Sequence, residues 1–337
     1  MKAAKLVELS KIIIEDAKTP APAKPGDVLV RVKAVGICGT DLHIFKDGRP
    51  DVILPRILGH ELSGVAEDIF GGTGKIASGD GVVLDPVYAC QTCPVCVKGR
   101  RNVCANVKCF GVQMDGGFCE YIVANEDSLH RVPDGISFEQ AALAEPYSIA
   151  ANILARVTAD GGDNILIMGA GTIGLSLLQA AKGLGARVLI SDKSAEKLRV
   201  AKLCGADATV DATNERLAKE VEEFSPGGAD VVIDAVGVSP LFKESIDLAA
   251  PAGRIAVIGF DSVPAGIAPL PITKKELTIV GSRRNNRRFP EVMDWLEKGR
   301  LKLDIMVSRT YPLDKIQEAF TDTLRNSDQI VKTIILI

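Results

Sequence analysis

Apolar and polar positions along the chain fall into two regimes. In the first third, short apolar runs broken by glycine and proline stand at Val28–Ala34, Gly64–Glu67, Gly81–Leu84 and Cys119–Val123. Such closely spaced strand and turn signals predict an all-β, barrel-like unit. Near Ser137 the pattern changes: Phe138–Val157 is alanine-rich and helical in period, which predicts a helix bridging two domains. From Asn164 onward, apolar runs alternate with helical stretches. Strands are predicted at Ile165–Met168, Arg187–Ser191, Val231–Asp234, Arg254–Gly259 and Leu277–Val280, with helices running to about Leu184, over Ala195–Cys204 and through Ala250. That alternation predicts a parallel, doubly wound sheet. After Gly281 a helix is predicted near Glu291–Lys298, and the apolar tail Val331–Ile337 predicts a strand that rejoins the first domain.

Length fits this two-domain reading, since 337 residues exceed one ordinary core and 47% of them are hydrophobic. No apolar run approaches the roughly 18 residues that span a bilayer. The net charge of −3 leaves no electrostatic footprint for nucleic acid or an anionic membrane. Met1–Ser10 reads as the start of a strand and not as the apolar core of a secretion signal. With eight cysteines, that predicts a reducing cytoplasm in which thiols bind metal or stay free. Cys109, Cys119 and Cys204 have no evident partners and read as small buried hydrophobes.

Cys90, Cys93, Cys96 and Cys104 stand in the spacing C-x2-C-x2-C-x7-C. Four thiolates so close in sequence can surround one ion, which predicts a closed, structural zinc site. A bacterial ferredoxin run would close with C-x3-C-P, whereas seven residues precede Cys104 and Ala105 follows it. Disulfides would need an oxidising compartment.

Gly169-Ala-Gly171-Thr172-Ile173-Gly174 follows a predicted strand and opens a predicted helix, the setting in which G-x-G-x-x-G binds a dinucleotide. Gly169 suits the tight turn, Gly171 lets backbone approach a pyrophosphate, and Gly174 allows close helix–strand packing. Asp192, at the end of the next strand, can accept ribose hydroxyls and repels a 2′-phosphate, favouring NAD over NADP. Lys193 and Lys197 lie close by. A helix N-cap is the competing role for Asp192.

A second metal-ligand set lies in Cys38-Gly-Thr40-Asp41-Leu-His43 and Gly59-His60-Glu61. The chain has only three histidines, and two of them fall in these glycine-flanked segments. Cys38, His60 and a carboxylate supply three ligands and leave one position for water or substrate. The segments Gly36–His43 and Gly59–Glu61, the four-cysteine lobe, the G-A-G-T-I-G turn and the run Asp192–Lys197 together resemble the zinc-dependent medium-chain alcohol dehydrogenase superfamily. Glu145-Pro146 stands where that superfamily's alcohol dehydrogenase has a second cysteine, which resembles the polyol branch of sorbitol and galactitol-phosphate dehydrogenases. Within it, Gly117–Tyr121, Glu145–Asn152 and Gly281–Phe289 are similar to bacterial L-galactonate and L-gulonate 5-dehydrogenases. The loop Asp68–Ser78 departs from the superfamily's V-x-x-V-G-x-G-V hairpin.

The resemblance implies a GroES-like β-barrel catalytic domain over 1–148 and 285–337, with a structural zinc lobe at about 88–106, and a Rossmann NAD-binding domain over 149–284. It implies two zinc ions per subunit and NAD as cofactors. Glu61 and Glu145 are both candidates for the third ligand of the catalytic zinc and for a catalytic role beside it. Thr40 and His43 match a proton relay, and Asp41 matches a carboxylate that orients His60. The expected cofactor-binding set is Gly169, Gly171, Thr172, Ile173, Gly174, Asp192 and Lys197. Arg283 and Arg284 are candidates for a substrate carboxylate, against a plain basic turn or subunit contact. The implied activity is NAD-linked oxidation of a sugar acid at C5, with a neutral polyol or L-threonine as the runner-up substrate and a catalytically silent relative as the contrasting class. A homodimer or homotetramer is implied as well.

Overall fold

The computed structural model describes residues 1–214, 216–259 and 262–337 and divides into two compact units. One comprises Met1–Ser148, Asn285–Gly299 and Val307–Ile337; the other comprises Ile149–Arg284 and Arg300–Met306.

The first unit is built on strand Asp27–Ile37. Val28, Val30, Val32 and Ala34 are buried on one face, and from Ala34 to Ile37 both faces are covered. Among the described residues, its sheet runs Val307–Pro312, Lys332–Leu336, Asp27–Ile37, Glu61–Phe70, Gly81–Leu84, Leu129–Arg131, and Tyr121–Asn125 also pairs with Asp27–Ile37. Thr333 lies opposite Ile37, and Gly36 lies opposite Glu61. Three segments far apart in sequence therefore converge at one end of the sheet. Phe118 and Phe45 pack on Phe320 with ring centroids 5.7 and 5.0 Å apart, anchoring helix Ile316–Arg325 in this core.

Several boundaries differ from the sequence pattern. The strand expected at Cys119–Val123 is Tyr121–Asn125, and the helix expected near Glu291–Lys298 is Phe289–Glu297. The continuous helix expected over Phe138–Val157 is two helices, Phe138–Ala141 and Ala144–Arg156. Pro146 is the reason. It has no N–H to give the carbonyl of Ala142, so the helix restarts with the proline in its first turn, where no such bond is needed. The short first helix is closed by a capping box between Ser137 and Gln140. The loop 68–78 still returns the chain to an antiparallel pairing, with Gly79 N donating to Ala66 O at 2.8 Å.

The second unit contains a six-stranded parallel sheet in the order Ala208–Asp211, Arg187–Asp192, Asn164–Met168, Ala229–Asp234, Ala249–Val257, Thr278–Gly281. Helices on both faces bury Ile165–Met168 to 1% exposure or less, which explains its unbroken apolar run. The strand order reverses at Asn164–Met168, and ligands of such sheets gather at that point. Arg300–Met306 packs with this unit, where Lys302 N donates to Gln179 Oε1 at 2.7 Å. No described helix is long and apolar enough to cross a membrane.

Candidate metal centres and nucleotide cleft

Cys38 leaves strand Asp27–Ile37 as the N-cap residue of helix Gly39–Asp47. His60 and Glu61 sit where the neighbouring strand Glu61–Phe70 begins. Asp41 joins the two segments. Fully buried, it accepts from Cys38 N through Oδ2 at 2.9 Å and from Gly59 N through Oδ1 at 3.2 Å. Gly59 holds φ at +91°, and a Cβ there would come within 2.9 Å of Val35, so no other residue admits this approach.

One donor atom each from Cys38, His60 and Glu61 lies within 4.8 Å of the others. His60 Nδ1 is buried without a hydrogen bond, with Asp41 Oδ1 3.6 Å away. Burial alone would push the imidazole pKa down, but the Asp41 carboxylate and Cys38 thiol outweigh it and hold it well above its ordinary value. A cluster of half-buried thiol with buried imidazole and carboxylate is a fitting donor set for zinc, with fewer than four ligands from the protein. Glu145, in the first turn of Ala144–Arg156, lies outside that cluster. Burial raises its carboxyl to about 8; His60 pulls it down, Glu61 pushes it up, and Lys332 pulls it down again. Thr40 is half-buried in the first turn of its helix. His43 is not brought to the cluster. Its side chain is 61% exposed, with Nδ1 3.0 Å from Asp47.

The four cysteines of the lobe also converge, with all sulfur atoms within 4.8 Å of one another. The Cys90 and Cys93 sulfurs lie 3.4 and 3.8 Å from that of Cys104. Cys90 N and Asn106 N point at Cys104 Sγ, at 3.4 and 3.3 Å. Backbone N–H groups of Thr92 and Cys93 hold the Cys90 thiol down at about 5, whereas burial, with Cys93 and Cys104 beside it, lifts Cys96 to about 12. Neighbouring thiols resist sharing negative charge, and a dication removes that conflict. Sulfur packing and N–H donors both fit a closed zinc site. By contrast, burial raises the Cys119 and Cys204 thiols to about 12 and about 11, the environment of inert structural cysteines.

In the second unit, Gly169 takes φ +105° and Gly171 caps helix Thr172–Leu184 with open space where a Cβ would stand. A Cβ on Gly174 would lie 1.8 Å from Gly169 O, so the helix can meet the strand only through glycine. Asp192 accepts from Ala170 N at 2.7 Å and from Ser194 N at 2.8 Å, tying the turn to the next helix. The N-cap role belongs to Ser194, which accepts from Lys197 N. Gly169, Gly171, Asp192, Lys193 and Lys197 line a cleft of about 950 Å³. Thr172 and Ile173 form the first turn of the helix above it. Val236, Leu241 and Glu244 also line the cleft; the sequence pattern marked none of them, because each follows a strand end with no motif of its own.

The arginine segment is held by its backbone. Arg283 is exposed and Arg284 half-buried, and Arg284 takes φ +53° while its carbonyl accepts from Asn152 Nδ2 at 2.9 Å. Asn285 beyond them is buried and donates to Asp85 Oδ1 at 3.1 Å.

Known proteins share this fold. The family profile described as Alcohol dehydrogenase GroES-like domain matches residues 24–134, and that described as Zinc-binding dehydrogenase matches residues 172–298. The starvation-sensing protein RspB of Escherichia coli K12 is 35% identical over 95% of each chain. L-galactonate-5-dehydrogenase of the same strain is 32% identical over 92% of each chain. The crystal structure of RspB from E. coli CFT073, complexed with NADH, matches with a TM-score of 0.94 at 33% identity, over 100% of this chain and 99% of that one. The chain therefore belongs to the zinc-dependent medium-chain alcohol dehydrogenases, in their polyol-dehydrogenase branch.

Proposed function

We propose that this protein oxidises a secondary alcohol of a sugar acid, at C5 of a hexonate such as L-gulonate or L-galactonate, with NAD as hydride acceptor. The observation that carries the reading is the Cys38–His60–Glu61 cluster, with His60 and Glu61 buried and Cys38 half-buried, a donor set of three that leaves room for a substrate hydroxyl. Cys38, His60 and Glu61 would hold the catalytic zinc, with Glu145 beside them, and Cys90, Cys93, Cys96 and Cys104 the structural one. Bound zinc supplies a Lewis acid that lowers the pKa of a hydroxyl, and the nicotinamide supplies the hydride acceptor. The chain's own residues do the rest. Asp41 orients His60. The Thr40 hydroxyl can accept the substrate proton while donating its own, and His43, paired with Asp47 at the surface, passes a proton to solvent. Gly169–Gly174 and the helix N-terminus hold the pyrophosphate, and Asp192 receives the ribose hydroxyls. The grouping of cysteines as metal ligands supports a reducing cytoplasm as the protein's location. The resemblance supports a homodimer or homotetramer.

Asp192→Ala is expected to raise the NAD Michaelis constant roughly tenfold and to relax discrimination against NADP, because it removes both the ribose acceptor and the anchor of Ala170 N. Equal NAD/NADP ratios for variant and parent protein would remove Asp192 from the cofactor site.

The sugar-acid assignment rests on Arg283 and Arg284 as carboxylate partners and on the likeness to L-galactonate-5-dehydrogenase. NADH formation by the zinc-loaded protein across hexonates, neutral polyols and L-threonine tests it. Turnover is expected on one hexonate, with Arg283→Ala or Arg284→Ala raising its Michaelis constant about tenfold, the loss of one charge-assisted hydrogen bond. Turnover on polyols or threonine alone would retain the dehydrogenase and discard the sugar acid.

A further inference from the structure

Lys332 is a lysine in a buried strand, 2% exposed, and belongs to none of the sequence motifs. Its Nζ donates to Glu61 Oε2 at 2.6 Å and to Ile37 O at 3.0 Å. Ile37 ends the adjacent strand Asp27–Ile37, and Glu61 lies beyond it, because that strand separates Lys332–Leu336 from Glu61–Phe70 in the sheet. The carboxylate reaches Lys332 by crossing Gly36, which stands opposite Glu61 in the register. A Cβ on Gly36 would lie 2.2 Å from Glu61 Oε2, so the path exists only because that position is glycine. Three strands thus cooperate to hold one oxygen of one carboxylate. Fold stability is a poor reason for such a device, because replacing a buried ion pair by apolar residues of similar volume is often neutral or stabilising.

We propose that Lys332 is a positioning residue that holds back one oxygen of Glu61, so that Glu61 offers the metal a single oxygen and a position stays open for the substrate hydroxyl. The inference rests on the assignment of Glu61 as a ligand of the catalytic metal. Two physical consequences follow. Without the ammonium, the second oxygen is free to close on the metal. The cluster also loses a positive charge and so attracts a dication more strongly. Lys332 therefore weakens metal binding in exchange for access.

The test uses full-length protein carrying cobalt in the Cys38–His60–Glu61 site and zinc in the four-cysteine site, with metal contents verified. The readouts are the visible cobalt spectrum, affinity for imidazole as a neutral probe of the open position, and the rate of cobalt loss to a chelator. Lys332→Met is expected to change the spectrum, weaken imidazole binding roughly tenfold and slow metal loss roughly tenfold, an effect in the range of outer partners of metal ligands. Lys332→Arg, which keeps the charge and donors, is expected to restore all three. If Lys332→Met does not fold, Lys332→Gln carries the same readouts with a donor but no charge. An unchanged spectrum and unchanged imidazole affinity in a folded, uncharged variant overturns the proposal, as does faster metal loss. Glu61→Gln separates the premise from the inference: if it leaves the cobalt spectrum unaltered, the assignment of Glu61 to the metal fails, whatever Lys332 does.

Discussion

Cys38→Ser is expected to lower kcat by about three orders of magnitude while the protein keeps its fold. A Lewis-acid metal contributes several kcal/mol to stabilising charge in such a transition state, and each 1.36 kcal/mol is a factor of ten. A serine hydroxyl at position 38 is a far weaker zinc ligand than a thiolate, so the three-donor cluster with His60 and Glu61 is broken. The fold does not depend on that sulfur. Cys38 is only half-buried, and the segment is secured by the Asp41 hydrogen bonds to Cys38 N and Gly59 N, which the substitution leaves in place. The check combines steady-state kinetics, zinc content and thermal unfolding. A variant with parental turnover would remove Cys38 from the catalytic site.

Cys93→Ser is expected to produce the reverse pattern: loss of order in the lobe, with the rest of the protein still folded. Between Cys90 and Val107 only Asn102 and Cys104 are buried, and Val97 is 76% exposed. Such a segment has almost no core of its own. Structural zinc in small peptides binds with about 10–16 kcal/mol, and that free energy is folding free energy. Without it, the lobe retains the Arg101 contacts with Val87 and Asp85 and the bond from Asn286 to Gly99 O, too few to close a loop of this length. Limited proteolysis with mass spectrometry is expected to show new cleavage between Gln91 and Ala105 and one zinc fewer per chain, while Cys38→Ser shows the same zinc loss without the cleavage. Exchange of these two phenotypes between the variants would mean that the structural and catalytic assignments are reversed.

What could be read in the sequence was local. The dinucleotide turn Gly169–Gly174 is legible because its three glycines answer constraints within one strand–turn–helix unit, down to the contact between Gly174 and Gly169 O. The four lobe cysteines are legible because all of them lie in one short segment. The alternation of apolar runs and helical stretches was enough for a parallel sheet, because strands buried on both faces must be apolar throughout. Local signals misled where two of them competed. The helical period of Phe138–Val157 concealed the break that Pro146 imposes. His43, proposed above as the outer end of the proton relay, faces solvent beside Asp47, a placement that the sequence alone does not specify.

The chain pattern by itself determined the fold class, the dinucleotide turn and two groups of candidate metal ligands. Only the tertiary structure shows that a Glu61 oxygen stands beside Cys38 and His60, and that Lys332 reaches that carboxylate. Glu145 and Glu61 were equal candidates in the sequence; the cluster contains Glu61. Lys332 lies 271 positions from Glu61 in the chain and meets it through the register of three adjacent strands. Sequence records which side chains are available within a turn or two of one another. Register decides which of them meet across a sheet, where a slip of one residue would send every side chain to the opposite face.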